Sequence, residues 1–179
     1  MKLIVTPAPQ GVHHSGTLKA FGEHHACALG RGGITAGKRE GDGFTPLGSF
    51  PLRAILYRAD RLELPATRLP ATPIAKTDGW CDDPTDPVHY NRPVTLPHAS
   101  SAEAMWRDDA LYDLVVILGH NDAPPIPGLG SAIFLHCAAD DETGELRPTE
   151  GCVALPRATL KAIVPRLTPK TLIEIRASA

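Results

Sequence analysis

Residues 131–160 read SAIFLHCAADDETGELRPTEGCVALPRATL. The apolar run AIFLHC (132–137) is rich in branched and aromatic side chains and predicts a strand that ends on His136 and Cys137. A polar, glycine-containing stretch follows, and then TEGCVAL (149–155) sets Cys152 behind Gly151. Pro156 opens a helix predicted over 156–167, with Leu160, Ile163, Val164 and Leu167 on one face. Cys152 is thereby expected in a loop just before a short helix. The order of strand, histidine, polar loop, glycine, cysteine and helix sets the terms for the rest of the chain.

Outward from this stretch the same pattern of short apolar runs recurs. Further strands are expected at LIVT (3–6), ACALG (26–30), SFPLRAILYR (49–58), LVVILG (114–119) and TLIEIRA (171–177). Eighteen prolines and sixteen glycines interrupt long helices and favour strands joined by turns, so the chain reads as mainly β. A second helix is predicted over 100–113, SSAEAMWRDDALYD, because Glu103 stands three residues after Ser100 at capping-box spacing. Between Leu62 and Pro97 a segment rich in Pro, Thr and Asp has little periodicity and reads as one long connection of the kind that lines binding sites. No internal repeat is visible. With 179 residues, the chain fits one domain, residues 1–179.

The composition excludes several classes. A formal net charge of −2 and a pI near 6.4 give no broad basic field for nucleic acid. No apolar run approaches the roughly 20 residues of a membrane helix. The N-terminal MKLIVTPAPQG does not resemble a signal peptide, which leaves open a cytoplasmic site or a mature end carrying an added Met1. The four cysteines, Cys27, Cys81, Cys137 and Cys152, form no CxxC pair and leave two disulfides possible.

A nucleophilic cysteine reacts as its thiolate, while a free thiol is mostly protonated at neutral pH. A histidine within hydrogen-bond reach takes that proton. His136 is the candidate, fixed at a strand end and 16 positions before Cys152, with a loop between them able to fold back. Backbone N–H groups of Glu150, Gly151 and Cys152 are placed to converge on an oxyanion, and Gly151 has no Cβ to hold a substrate away. The competing reading of Cys152 is a packed core thiol.

Other residues carry alternatives of their own. GWCDDPTDPVHYNRPV (79–94) concentrates Trp80, Asp82, Asp83, His89, Tyr90, Asn91 and Arg92, which suits either a groove for a zwitterionic peptide or a solvated loop with Asx turns. In the groove reading, Arg92 pairs with a carboxylate and the aspartates with an amine. Cys81 reads as a packing residue or a disulfide partner. His120 and Asn121 follow a buried strand, as binding residues often do, although a structural histidine serves equally. His13, His14, His24 and His25 invite a zinc reading, but neighbours on a strand face opposite ways, so each pair offers one ligand. The acids Asp140, Asp141, Glu142 and Glu145 lack the spacing of a calcium loop and read as solvated.

IFLHCA followed by TEGCVAL resembles the active-site signature of the L,D-transpeptidase catalytic domain, also called the YkuD domain, in which a strand-end histidine precedes a Ser/Thr-x-Gly-Cys loop. GKREGDGFTPLGSFPL (37–52), GSAIFLH (130–136) and PKTLIEI (169–175) are similar to the family's early segment, central strand and closing strand. The resemblance implies a β-sandwich with short peripheral helices. It also implies an enzyme of the bacterial cell wall whose cysteine attacks an L,D amide bond of a peptidoglycan stem peptide and passes the acyl group to an amine. In that scheme Cys152 is the nucleophile, His136 the base, the Cys137 carbonyl the group that orients His136, and Thr149 the hydroxyl that holds the loop. No metal or cofactor is required, and carbapenem-type β-lactams are expected inhibitors. A cell-envelope location follows from the resemblance.

The chain departs from the family at Glu150, where many members carry a second histidine, and at Ala154, where they carry arginine or asparagine. Only 12 residues separate His136 from Thr149. These changes leave several products open: 3-3 or 1-3 cross-links, attachment of a protein, hydrolysis by an L,D-carboxypeptidase or muropeptide hydrolase, or a non-catalytic peptidoglycan-binding module.

Overall fold

The structure is a computed structural model that describes residues 1–8, 12–63, 66–139 and 145–178. Its strands in chain order are β1 (Lys2–Pro7), β2 (Ser15–Ala20), β3 (Glu23–Ala28), β4 (Ile34–Thr35), β5 (Thr45–Pro46), β6 (Gly48–Tyr57) and β7 (Ala71–Pro73). They continue with β8 (Asp78–Cys81), β9 (Pro93–Thr95), β10 (Ala102–Ala104), β11 (Leu114–Leu118), β12 (Phe134–Cys137), β13 (Val153–Leu155) and β14 (Leu172–Ile175). The helix α1 spans Arg157–Ile163.

The main sheet runs β11-β12-β13-β3-β2-β1-β14-β6-β7, and β6 also pairs with β11. The ten residues of β6 make this possible. Gly48–Pro51 pair with β14, while Leu52–Tyr57 pair with β11, so one long strand joins the two ends of the sheet and closes it on itself. The mainly β, sandwich-like fold expected from the sequence is what forms.

Alternation places the main core. Leu3 and Val5 on β1, Leu18 and Ala20 on β2, and Ile173 and Ile175 on β14 point into the closed sheet with Leu114, Val116 and Leu118 of β11. Leu135 and Cys137 of β12 and Val153 and Leu155 of β13 join them from the other side. Like β13 beside them, β11 and β12 bury both faces. Their outer faces hold Val115 and Phe134, which pack with Trp80, Met105, Tyr112 and Cys152 in a second apolar cluster. A three-stranded sheet, β10-β8-β9, supplies the cover, and the site lies under it.

Three sequence expectations change. First, residues 100–113 form no helix: Ala102–Ala104 pair with Gly79–Cys81 instead. Glu103, expected to cap a helix, accepts the Tyr112 hydroxyl at 2.6 Å. Asp109 takes the Leu111 amide at 3.1 Å in a local turn, so strand pairing and burial of Met105 and Tyr112 outweigh a capping signal. Second, the 62–97 segment is not a single loop, because it contributes β7, β8 and β9, each too short to show a period. Third, Cys152 does not run directly into the helix, because β13 intervenes and pairs in parallel with β12.

The helix expected over 156–167 does form, with α1 passing into a 3-10 turn at Val164–Arg166. Pro165 supplies no N–H to continue the α ladder. All four cysteines are buried and unpaired. The calcium reading fell on the acidic run, of which Asp140, Asp141 and Glu142 lie outside the described residues.

Candidate active site

In the parallel β12–β13 ladder, Leu135 pairs with Val153, His136 with Ala154 and Cys137 with Leu155. Side chains on paired positions share a face, so His136, Ala154, Phe134 and Cys152 all lie on the outer face while Leu135 and Val153 lie inside. A sequence gap of 16 residues thus becomes a pair of diagonal positions on one face of two neighbouring strands. His136 and Cys152 both line one cavity of about 940 Å³, together with Thr149, Glu150, Gly151 and Ala154.

The Cys152 thiol donates to the Ala132 carbonyl at 3.2 Å, and its sulfur accepts the Phe134 amide at 3.3 Å. Burial pushes its pKa up to about 12, although the Phe134 amide and the Lys38 ammonium work the other way. His136 is 4% exposed, and desolvation pulls its pKa down to about 4 against the carbonyls of Cys137 and Leu111. Both groups are therefore neutral at pH 7. Nδ1 of His136 stands 2.8 Å from the Cys137 carbonyl, so this nitrogen carries the proton and the lone pair falls on Nε2. The Tyr112 ring meets the imidazole edge-on with centroids 5.3 Å apart.

The loop before Cys152 is held by hydroxyls. Thr149 Oγ1 donates to the Cys152 carbonyl at 2.7 Å and accepts the Gly151 amide at 3.1 Å. That second bond takes the Gly151 N–H away from the oxyanion role expected for it. Gly151 has φ +147°, and a Cβ there would stand 2.9 Å from the Phe44 carbonyl and 3.2 Å from Lys38 Nζ. Here glycine is required by both conformation and space. Glu150 is exposed and ion-paired with Arg31.

Lys38 was not singled out by the sequence. It is 8% exposed, donates to Asp42, lines the cavity and brings a cation next to Gly151. Asp42 also accepts the Arg39 amide at 2.7 Å and the Phe44 amide at 2.9 Å, which fixes the loop that carries it. Opposite, Asp82 and Glu103 line the same cavity beside Arg107. Desolvation raises the Glu103 carboxyl above its usual value, against the Tyr112 hydroxyl and Arg107. Asp82 Oδ1 is the one buried side-chain oxygen or nitrogen among the described residues without a hydrogen-bond partner.

The remaining site candidates stand behind the walls of the cavity. Trp80 Nε1 donates to Asn91 Oδ1 at 2.9 Å, and its ring packs edge-on against Phe134. Tyr90 is fully buried, accepts the Gly130 amide at 3.0 Å and donates to Glu40. His120 Nε2 meets the Leu129 carbonyl at 3.1 Å, and its ring packs on Phe50. Asn121 binds the backbone of Ile126 and Gly130. Arg92 is exposed and, like these four, is not among the lining residues. Asn91, named in the sequence only as one of a cluster, proves to be a hub: its Oδ1 also takes the Ala132 amide at 3.0 Å, and its Nδ2 reaches the carbonyls of His120 and Asn121.

Among the described residues, His13, His14, His24 and His25 enter no set of three metal ligands. No helix of the described residues is long and apolar enough to cross a membrane. Searches of curated proteins and of solved structures gave no match. The family model for the L,D-transpeptidase catalytic domain matches residues 12–175, nearly the whole chain. On that match, over a fold and a cavity of the kind just described, the chain belongs to the L,D-transpeptidase catalytic domain family.

Proposed function

We propose that the protein is a cysteine-dependent L,D-transpeptidase that forms 3-3 or 1-3 cross-links between peptidoglycan stem peptides through an acyl-enzyme on Cys152. The observation that carries this reading is the neutral thiol–imidazole pair on one face of the β12–β13 ladder, opening on a single cavity. A donor stem brings its L-centre carbonyl to the sulfur. The thiol proton gives up its hydrogen bond to the Ala132 carbonyl and passes from sulfur to His136 Nε2 as sulfur attacks carbon. The developing oxyanion is met by backbone amides at Glu150 and Cys152 and by the nearby Lys38 ammonium. Protonated His136 then gives its proton to the departing D-amino group, leaving a thioester. The acceptor amine attacks that thioester, loses its proton to His136 and frees the thiol.

Asp82 and Glu103 support the amine part of this scheme. An unpaired carboxylate oxygen at the cavity wall, beside a second acid, suits the ammonium carried by a stem peptide. A cavity of about 940 Å³ is near the upper end for a single small ligand and suits two peptide branches. Stem peptides place the substrate, and with it the enzyme, at the cell envelope. Hydrolysis differs only in the acceptor, with water in place of the amine.

The test is intact-protein mass spectrometry after incubation with a carbapenem and, separately, with purified disaccharide-peptide stems, for wild type and Cys152→Ala. A covalent adduct that disappears in the variant is expected. Product masses separate cross-linked dimers from trimmed monomers, the second being the L,D-carboxypeptidase outcome. Stems that bind without any adduct on Cys152 would replace the enzyme reading with a binding module.

A further inference from the structure

The segment from β8 to β10, which includes β9, carries a set of side chains that the reaction does not use. Cys81 ends β8, Asp86 and His89 follow in the next turns, and His98 lies near the return to β10. Asp86 is their centre: its Oδ2 stands 2.9 Å from His89 Nδ1 and 3.3 Å from His98 Nε2, and it accepts the Ser100 hydroxyl at 2.9 Å. The two imidazoles meet edge-on with centroids 4.9 Å apart. One ligand atom each from Cys81, Asp86 and His98 all lie within 4.8 Å of one another.

This grouping has the dimensions of a metal site. An ion with tetrahedral bonds of about 2.0–2.3 Å spaces its ligands about 3.3–3.8 Å apart, so the three need to close by about 1.5 Å at most. The donor set is one sulfur, one nitrogen and one carboxylate oxygen, which suits a borderline ion such as zinc over the oxygen-seeking magnesium and calcium. Packing does not account for Cys81. It is fully covered, yet it belongs to neither apolar cluster, whereas Cys27, Cys137 and Cys152 each sit in one.

We infer that Cys81, Asp86 and His98 bind a zinc ion, with His89 on its open side as a fourth ligand or an orienting neighbour. Binding replaces the Cys81 thiol proton, which leaves to solvent, with a sulfur–zinc bond. The ion ties the two ends of the 82–101 segment together. Asp82 follows Cys81 directly, and Glu103 pairs through β10 with Trp80 on β8, so both acids of the cavity wall hang from the clamped segment. The role is structural, and it stands apart from the transpeptidase reading, which uses no metal.

Cobalt(II) is the probe. Full-length protein is stripped with a strong chelator, then titrated with Co²⁺ while the near-ultraviolet thiolate-to-cobalt band is followed, with Zn²⁺ added last. One equivalent is expected to develop the band, and zinc to abolish it. The band is expected to survive in Cys152→Ala, to vanish in Cys81→Ser, and to need at least tenfold more cobalt in His98→Gln and about tenfold more in His89→Ala. Failure of Cys81→Ser to fold leaves His98→Gln as the deciding variant, since it retains every thiol. The absence of a band in the wild type, a band unchanged in His98→Gln, or a band lost in Cys152→Ala would each overturn the site.

Discussion

Asn91 Oδ1 accepts the Ala132 amide at 3.0 Å, and Ala132 sits at φ +50° with its carbonyl on the Cys152 thiol. An alanine rarely adopts this left-handed conformation, and the buried amide of Asn91 holds it there. The same oxygen takes the Trp80 indole, so one side chain ties the covering sheet to the backbone behind Cys152.

Asn91→Ala therefore leaves two buried donors unmatched. The expected cost is about 3 kcal/mol in urea unfolding, together with loss of most carbapenem labelling of Cys152. Asn91→Asp retains the acceptor and is expected to recover part of both. Equal labelling in all three proteins would dissociate Ala132 from the thiol.

His136 makes stability depend on pH with a definite sign. Its folded pKa of about 4 lies below the unfolded 6.5, so between these values the unfolded chain binds the extra proton. Stability then rises with pH through this window and is lost as pH falls through it. The gap converts to about 3 kcal/mol for this group alone. Denaturant titrations between pH 7.5 and 3.5, to be run on wild type and His136→Gln, are expected to diverge by roughly that amount at the acid end. Parallel curves would count against a buried neutral imidazole.

Thr149 spans the loop before Cys152 through one oxygen, donating to the Cys152 carbonyl and accepting from Gly151. Thr149→Val removes both bonds at nearly constant volume. Acylation by a carbapenem is expected to slow by about ten- to a hundredfold, in line with the cost of small misplacements, while Thr149→Ser stays within a few fold of wild type. A serine variant as slow as the valine one would shift the role from the hydroxyl to the methyl group.

Asp113 is 1% exposed and lies between Arg61 at 3.0 Å and Arg157 at 3.2 Å, which joins the 107–113 turn to the start of α1. Asp113→Ala leaves that pair of cations without its carboxylate. The arginines left behind are 28% and 41% exposed, so a loss of about 1–3 kcal/mol in chemical denaturation is expected, with Asp113→Asn intermediate. A loss below about 1 kcal/mol would mark the pair as a surface interaction.

The long apolar strands were legible because their signal is local. Leu3 and Val5 alternate, and β11 and β12 are continuous runs bounded by turns. Cys152 and His136 were legible as a pair through the spacing of their motif. Elements of three residues, such as β10 and β13, fall below the length at which a period shows. The helix expected at 100–113 failed for a related reason: the Ser100–Glu103 spacing is a local cue, and the partner that Glu103 takes, Tyr112, is chosen by the covering sheet. Lys38 gave no cue at all, because its place beside Gly151 depends on the early loop packing against the late one. Tyr90 and His120 were conspicuous in the sequence for their residue types, yet their polar atoms are consumed by Glu40 and by backbone.

The capped thiol also bears on chemical endurance. Peroxide and disulfide reagents attack sulfur as the anion, and a group with a pKa pushed up to about 12 and 8% exposure offers very little of it. That slows sulfenic acid formation at Cys152 relative to an exposed cysteine of ordinary pKa.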